Sequence, residues 1–198
     1  MLVIGITGLS GSGKTTFLRA VEAKGGETVD CDRLYAEMVR TDVPMREALA
    51  DTFGDVFLPT GELDRKTLAA RVFSSEAELG KLNRIVYRHL GERVRQMLKQ
   101  SEAKLFAVDA VNLIQSGLAE LCTVTVGVTA DEKTRLARIV ARDGISEPDA
   151  QKRMNAQPND AFFRENCTYI LQNDAPTQAE FAAKAQMLLD TIIKENES

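Results

Sequence analysis

An α/β fold, with helices on both faces of a parallel sheet, is what the sequence predicts, and three observations carry that prediction. Short runs of strand length recur at 2–7, 27–30, 104–109, 123–128 and 169–171. Longer stretches of helical spacing separate them, so successive strands need crossover connections, and those make a sheet parallel. The first run leads directly into a glycine-rich turn and a helical segment, the order of a βα unit.

Taken in order, Leu2-Val3-Ile4-Gly5-Ile6-Thr7 is apolar enough for a buried parallel strand. Thr16-Phe17-Leu18-Arg19-Ala20-Val21 has helical spacing, and Gly25-Gly26 stops that helix near Lys24. Glu27-Thr28-Val29-Asp30 reads as a second strand, closed by two acids, Asp30 and Asp32. Arg33 to Gly54 is helical, with Asp32 suited to cap its start and Pro44 placed to open a new helix after Thr41-Asp42. Leu58-Pro59-Thr60-Gly61 is a turn, and Asp64 caps a helix through Leu68 and Phe73. Ser75-x-x-Glu78 is a capping box for a long amphipathic helix running towards Lys99. Strands return at Lys104–Asp109 and Thr123–Val128. Asp131 caps a helix carrying Arg135, Arg138 and Arg142; the chain breaks after Asp143-Gly144, restarts at Ser146-x-x-Asp149 and pauses around Pro158-Asn159-Asp160. Such a helix, turn, helix insertion between strands has the form of a lid. Tyr169-Ile170-Leu171 is the last strand, and the final helix aligns Phe181, Ala185, Leu188, Leu189, Ile192 and Ile193 as a core stripe.

Between the first strand and helix, Gly8-Leu9-Ser10-Gly11-Ser12-Gly13-Lys14-Thr15 fits the phosphate-loop pattern G-x-x-x-x-G-K-[ST]. Glycines at 8, 11 and 13 allow positive φ and let backbone N–H groups close on phosphate oxygens. The following helix aims its positive end at the same place. Lys14 adds a charge for the β/γ oxygens, and Thr15 a hydroxyl for the magnesium ion that travels with ATP. The nucleotide-contacting set is Gly8, Gly11, Ser12, Gly13, Lys14, Thr15 and Thr16, with Arg138 from the lid. A glycine-rich turn that binds nothing is the alternative; the agreement of strand, loop and helix speaks against it.

Other residues supply candidate chemistry. Ligands of an open parallel sheet bind at its carboxyl edge, where Asp30 and Asp32 fall. Asp32 is expected to take the proton of an acceptor hydroxyl and Asp30 to order magnesium through water, although Asp32 could serve only as a helix cap. Arg138 and Arg142 share a helix face, with Arg135 a turn earlier. Lid guanidiniums stabilise charge on a transferred phosphoryl group; the alternative is a solvated face neutralised by Asp131, Glu132 and Asp143. Arg153 and Gln157, on the second lid helix, read as ordinary surface positions. Asp109 ends an apolar strand, as a magnesium acid or a mere cap would. His89, the only histidine, lies among Arg84, Arg88 and Arg93 and reads as a surface residue; triad hydrolysis is unsupported.

Composition narrows the classes. The 198 residues, 44% hydrophobic, bury one sizeable core, expected as a single domain with a helical region at 33–100, which the family resemblance given below makes the acceptor-binding region, and a lid at 131–166. A net charge of -4 argues against nucleic acid and against an anionic membrane surface. Cys31, Cys122 and Cys167 are odd in number and dispersed, suggesting neither a disulfide framework nor a zinc site. No basic lead-in or long apolar run marks export, so a cytoplasmic protein is expected, as a monomer or small homo-oligomer.

With these residues in view, the chain resembles the dephospho-coenzyme A kinase family of P-loop kinases. The likeness lies in GITGLSGSGKTT at the start, VDCD at Val29–Asp32, FG followed by GELDRKTLAARVF, the lid stretch RIVARDGISEPDAQKRMNAQ from Arg138 to Gln157, and YILQND near Tyr169. It implies a three-layer P-loop kinase with a five-stranded parallel sheet, a helical acceptor-binding insertion and a helical lid. By resemblance, ATP phosphorylates the ribose 3'-hydroxyl of dephospho-coenzyme A, Asp32 is the base, Lys14 and Thr15 contact phosphate and magnesium, and Arg142 is the catalytic lid arginine. The chain departs from the family's usual His-Pro at Tyr87-Arg88 and from its Pro-Leu-Leu-x-Glu at Val111-Asn112-Leu113-Ile114-Gln115, both in the expected acceptor region.

Three other readings compete. One is a kinase for another nucleotide or nucleoside. Another is a GTPase-like switch, which needs an N-K-x-D motif that is absent. The third, an inactive P-loop domain, would be expected to lose Lys14 or the strand-end acids, and both are present.

Overall fold

A computed structural model of the chain describes residues 1–73 and 75–196. Its strands are β1 (Leu2–Gly8), β2 (Glu27–Asp30), β3 (Leu105–Asp109), β4 (Val124–Thr129) and β5 (Tyr169–Gln172). Its helices are α1 (Lys14–Ala23), α2 (Cys31–Thr41), α3 (Val43–Phe53), α4 (Arg65–Val72), α5 (Glu76–Gln100), α6 (Glu132–Asp143), α7 (Glu147–Asn155), α8 (Asp160–Asn166) and α9 (Gln178–Asn196). The expected parallel sheet is present, in the order β2-β3-β1-β4-β5. A short 3-10 turn at Leu118–Leu121 has no counterpart in the sequence reading.

β1 lies at the centre, buried from Val3 to Gly8, which is why its run is nearly continuous in apolar residues. Ile6 stands beside Asp109 of β3 and Val126 of β4. Alternate positions, Ile4 and Ile6, Leu105 and Ala107, Val124, Val126 and Val128, join Phe17 and Val21 of α1 and Phe181, Ala185, Leu189 and Ile192 of α9 in one core cluster. The chain leaves β1 towards one side of the sheet and returns to the other, so the switch point falls at the carboxyl end of β1. That is where the glycine-rich loop begins.

The chain divides into two compact units, Met1–Val29 with Ser101 onward, and Asp30–Gln100. The second holds α2 to α5, with one isolated bridge, Phe57 to Leu63, as its strand-like pairing among the described residues. Met45, Leu49, Phe53, Val56, Leu68, Val72, Leu90 and Val94 are buried there. Arg46 ties this unit together, donating to the carbonyls of Val39 (2.6 Å) and Gly61 (2.7 Å) with its guanidinium 4.2 Å from the Phe57 ring centroid. As expected, Asp64 and Ser75 accept from backbone N–H groups at the starts of α4 and α5.

Two expectations are corrected here. The helix after β2 begins at Cys31, and its cap is Asp30, whose Oδ1 accepts from the N–H groups of Asp32 (2.9 Å) and Arg33 (3.0 Å). Asp32 therefore lies inside the first turn and is not the cap. His89 is not a surface residue: its side chain is 11% exposed, with Nδ1 3.8 Å from Oδ1 of Asp42, the cap of α3.

Candidate active site

The loop from Gly8 to Thr15 is shaped by what lies behind it. Gly8 has φ 139°, and a Cβ there would stand 2.1 Å from the Val128 carbonyl oxygen, so β4 can lie against the loop only if this residue is glycine. Gly13 has φ 105° and immediately precedes α1. No side chain caps α1 and no acid occupies its first turn, so its positive end is presented to an anion rather than satisfied internally. Lys14 Nζ folds back over the loop and donates to the Gly8 carbonyl at 3.0 Å. Thr15 is exposed at the rim.

Residues of α6 and of the segment after α7 hold the same loop from one side. Arg135, 8% exposed, donates from Nε to the Ser10 carbonyl (3.2 Å), and Arg138 from Nη1 to the Gly11 carbonyl (3.1 Å). Burial pulls Arg135 below its ordinary pKa, while Asp160, Glu132 and Asp131 oppose that shift. Gln157 Nε2 donates to Ser10 Oγ (2.8 Å), and its Oε1 accepts from the Ser10 N–H (3.1 Å). Gln157 is thus no ordinary surface position. Arg142 is placed otherwise: it makes two hydrogen bonds to Asp143, at 2.7 and 3.0 Å, and Arg153 pairs with the same carboxylate. The Arg142 hydrogen bond holds Asp143 below the usual carboxylate range.

From the other side, the end of β5 supports the loop. Asn173, 5% exposed, donates its N–H to the Thr129 carbonyl and its Nδ2 to the Ser12 carbonyl, both at 2.8 Å. A Cβ on Gly13 would stand 2.7 Å from that Nδ2 and 2.9 Å from the Phe181 ring. Among the described residues, Ser12 Oγ, Thr129 Oγ1 and Asn173 Oδ1 are buried polar atoms without a hydrogen-bond partner, gathered around this junction. Beside it a cavity of about 360 Å³ is lined by Gly13, Thr16, Arg138, Asn173, Pro176 and Phe181, a size and lining suited to the base and sugar of a nucleotide. A larger cavity, about 530 Å³, is lined by Leu2, Lys24, Lys104, Leu105 and Asp190. It sits at the amino ends of β1 and β3, the wrong edge for chemistry in a parallel sheet.

Of the residues singled out from sequence, the structure brings Gly8, Gly11, Ser12, Gly13, Lys14, Thr15, Thr16 and Arg138 to one place. Asp30 and Asp32 stand at the start of α2, and Asp109 closes β3 in register with Ile6. The loop contacts of Asn173, Arg135 and Gln157 are the additions: Gln157 and Asn173 lie in stretches that carry the family likeness, and Arg135 stands beside the arginines singled out, but no local pattern reveals what each touches. The arginine spacing pointed towards the first lid helix without separating the two residues that reach the loop from the one held by Asp143.

The strand order, the phosphate loop after β1 and Arg138 of α6 laid on it define a P-loop kinase. The chain matches the dephospho-CoA kinase family over residues 2–179 and belongs to that family. It is 33% identical over 186 residues to the dephospho-CoA kinase of Thermobifida fusca, covering 93% of this chain and 92% of that one. Among solved structures it is similar to a protein from Thermus thermophilus, with a TM-score of 0.81 and 29% identity over 98% of this chain and 97% of the other. It also shares the fold of the dephospho-CoA kinase from Campylobacter jejuni, with a TM-score of 0.67 and 19% identity, covering 98% of each chain.

Proposed function

We propose that this chain transfers the γ-phosphoryl group of ATP to the ribose 3'-hydroxyl of dephospho-CoA, giving CoA and ADP. The observation that carries the donor half is the loop after β1, where an uncapped helix start and Lys14 converge while Arg138 lies on the Gly11 carbonyl. Lys14 Nζ exchanges the Gly8 carbonyl for β/γ oxygens, and the loop amides hold the same group in place. In the reaction the acceptor oxygen bonds to the γ-phosphorus as the bond to the ADP oxygen breaks, and the hydroxyl proton passes to the Asp32 carboxylate. Asp32 is assigned by resemblance, and by the capping of α2 through Asp30, which leaves the first-turn carboxylate out of that role. Arg142 reaches the transferred phosphoryl by exchanging Asp143 for phosphate oxygens.

Magnesium fits the donor set. Among the described residues no group of three acidic, histidine or cysteine side chains could cage a metal, and Mg2+ is commonly held by one or two protein oxygens, substrate phosphates and water. Thr15 Oγ1 would supply one oxygen, and Asp30 is the residue the sequence offers for a contact through water. When bound, the ion would neutralise charge on the β and γ oxygens. A cytoplasmic setting accords with the family; no described helix is long and apolar enough to cross a membrane.

The decisive experiment is an acceptor panel. Purified protein with ATP and magnesium is expected to release ADP rapidly with dephospho-CoA and slowly with AMP, CMP, uridine or shikimate. Equal rates on AMP, or none on dephospho-CoA, would overturn the assignment.

A further inference from the structure

Ser10 is held by lid side chains at each of its polar atoms. Its N–H and hydroxyl meet the two ends of the Gln157 amide, and its carbonyl accepts from Arg135. A side-chain amide paired to one residue through both donor and acceptor fixes the direction of that residue's peptide as well as its distance. Gln157 is itself firmly placed, since it follows α7, donates its N–H to the Met154 carbonyl at 3.1 Å and precedes Pro158. Met154 and Ala150 of α7 pack with Ile139 of α6 in a small buried cluster. The loop presses directly on this platform: a Cβ on Gly11 would stand 2.8 Å from the Arg135 carbonyl oxygen and 3.3 Å from Ile139.

We propose that Gln157 is a positioning residue for the phosphate donor, acting through Ser10 to fix the amides of the Gly8–Thr15 loop before nucleotide arrives. The inference rests on the donor half of the function given above and is independent of the acceptor. The loop binds phosphate through main-chain N–H groups, so its affinity depends on how completely they are aimed in advance. Without the Gln157 clamp, Ser10 keeps the Arg135 contact alone, and ordering the loop falls on the nucleotide.

The test is ATP affinity measured by calorimetry, with melting temperature and the two KM values alongside. Gln157→Leu, which keeps bulk and removes both hydrogen bonds, is expected to weaken ATP roughly tenfold and to raise the KM for ATP while leaving that for dephospho-CoA unchanged. Ser10→Ala removes only the Nε2 to Oγ bond and is expected to weaken ATP several-fold in the wild-type background, with no further effect in Gln157→Leu. A Gln157→Leu protein that melts lower yet binds ATP as wild type does would reduce the residue to a structural contact and overturn the proposal. Should that variant fail to fold, Ser10→Ala decides: unchanged ATP affinity refutes the clamp. Wild-type protein that binds no ATP would instead sink the donor assignment, and wild-type binding without dephospho-CoA turnover would sink only the acceptor.

Discussion

The carboxylates of Asp30 and Asp32 are placed differently, one as the cap of α2 and the other inside its first turn. Asp30 accepts from the amides of residues 32 and 33 through Oδ1, whereas Asp32 sits inside the helix that Asp30 begins. Substitution at the two sites should therefore differ in kind: the change at Asp32 spares the cap, whereas the change at Asp30 removes the cap together with the proposed magnesium contact. Asp32→Asn is expected to keep ATP binding and folding while turnover falls about 100- to 10,000-fold, the usual loss for a positioned base. Asp30→Ala should lose about 1 kcal/mol with its cap. Urea melts and single-turnover assays on both proteins check this, and near-normal turnover in Asp32→Asn would remove it as the base. The cysteines fit the same local logic: burial pushes the Cys122 thiol up to about 12, so it is not a nucleophile at neutral pH.

At the scale of elements, α6 and α7 are set by their caps and by the cluster between them. Asp131 Oδ1 accepts from the Thr134 N–H at 2.9 Å, and Gly144, with φ 64°, ends α6. Because α6 carries both Arg135 and Arg138, its start is a useful place to perturb. Asp131→Ala is expected to cost about 1 kcal/mol and lower the melting temperature by about 2–4 °C, while Asp131→Asn, which caps nearly as well, stays near wild type. A calorimetric scan of the pair tests it, and equal losses in both variants would point to charge rather than capping. These caps, the strands and the phosphate loop were legible because their signals are local: periodicity within a dozen residues, a glycine pattern, an acid before a helix. The cap at Asp30 was missed because acids at 30 and 32 offer the same signal two positions apart. The partners of Gln157 and Asn173, two residues inside stretches that carry the family likeness, are illegible for another reason, since they lie 147 and 161 residues away in sequence. A glutamine after a helix or an asparagine after a strand carries no local mark of a partner that only the sheet brings near.

For the molecule as a whole, acid is the condition that touches most of the structure at once. Asp64 is held below the usual carboxylate range chiefly by the Thr67 hydroxyl, Asp131 by Thr134, Asp143 by Arg142, Asp174 by Lys184 and Asp190 by Lys24. These groups span both compact units. Each has a folded pKa below its unfolded value of 3.8, so as pH falls the unfolded chain takes up protons first. Stability is then fully present above about pH 4 and drains away as pH falls through the folded values. The urea midpoint is expected to drop between pH 5 and pH 3. Salt should divide the causes. Asp143, Asp174 and Asp190 face cations and are screened, whereas Asp64 and Asp131 take hydroxyl and amide hydrogen bonds that salt barely weakens. In 1 M NaCl the drop should shrink without vanishing, and Asp143→Asn should shrink it further at low salt only. A midpoint that rises on going from pH 5 to pH 3 would show that charged forms favoured in the unfolded chain dominate instead.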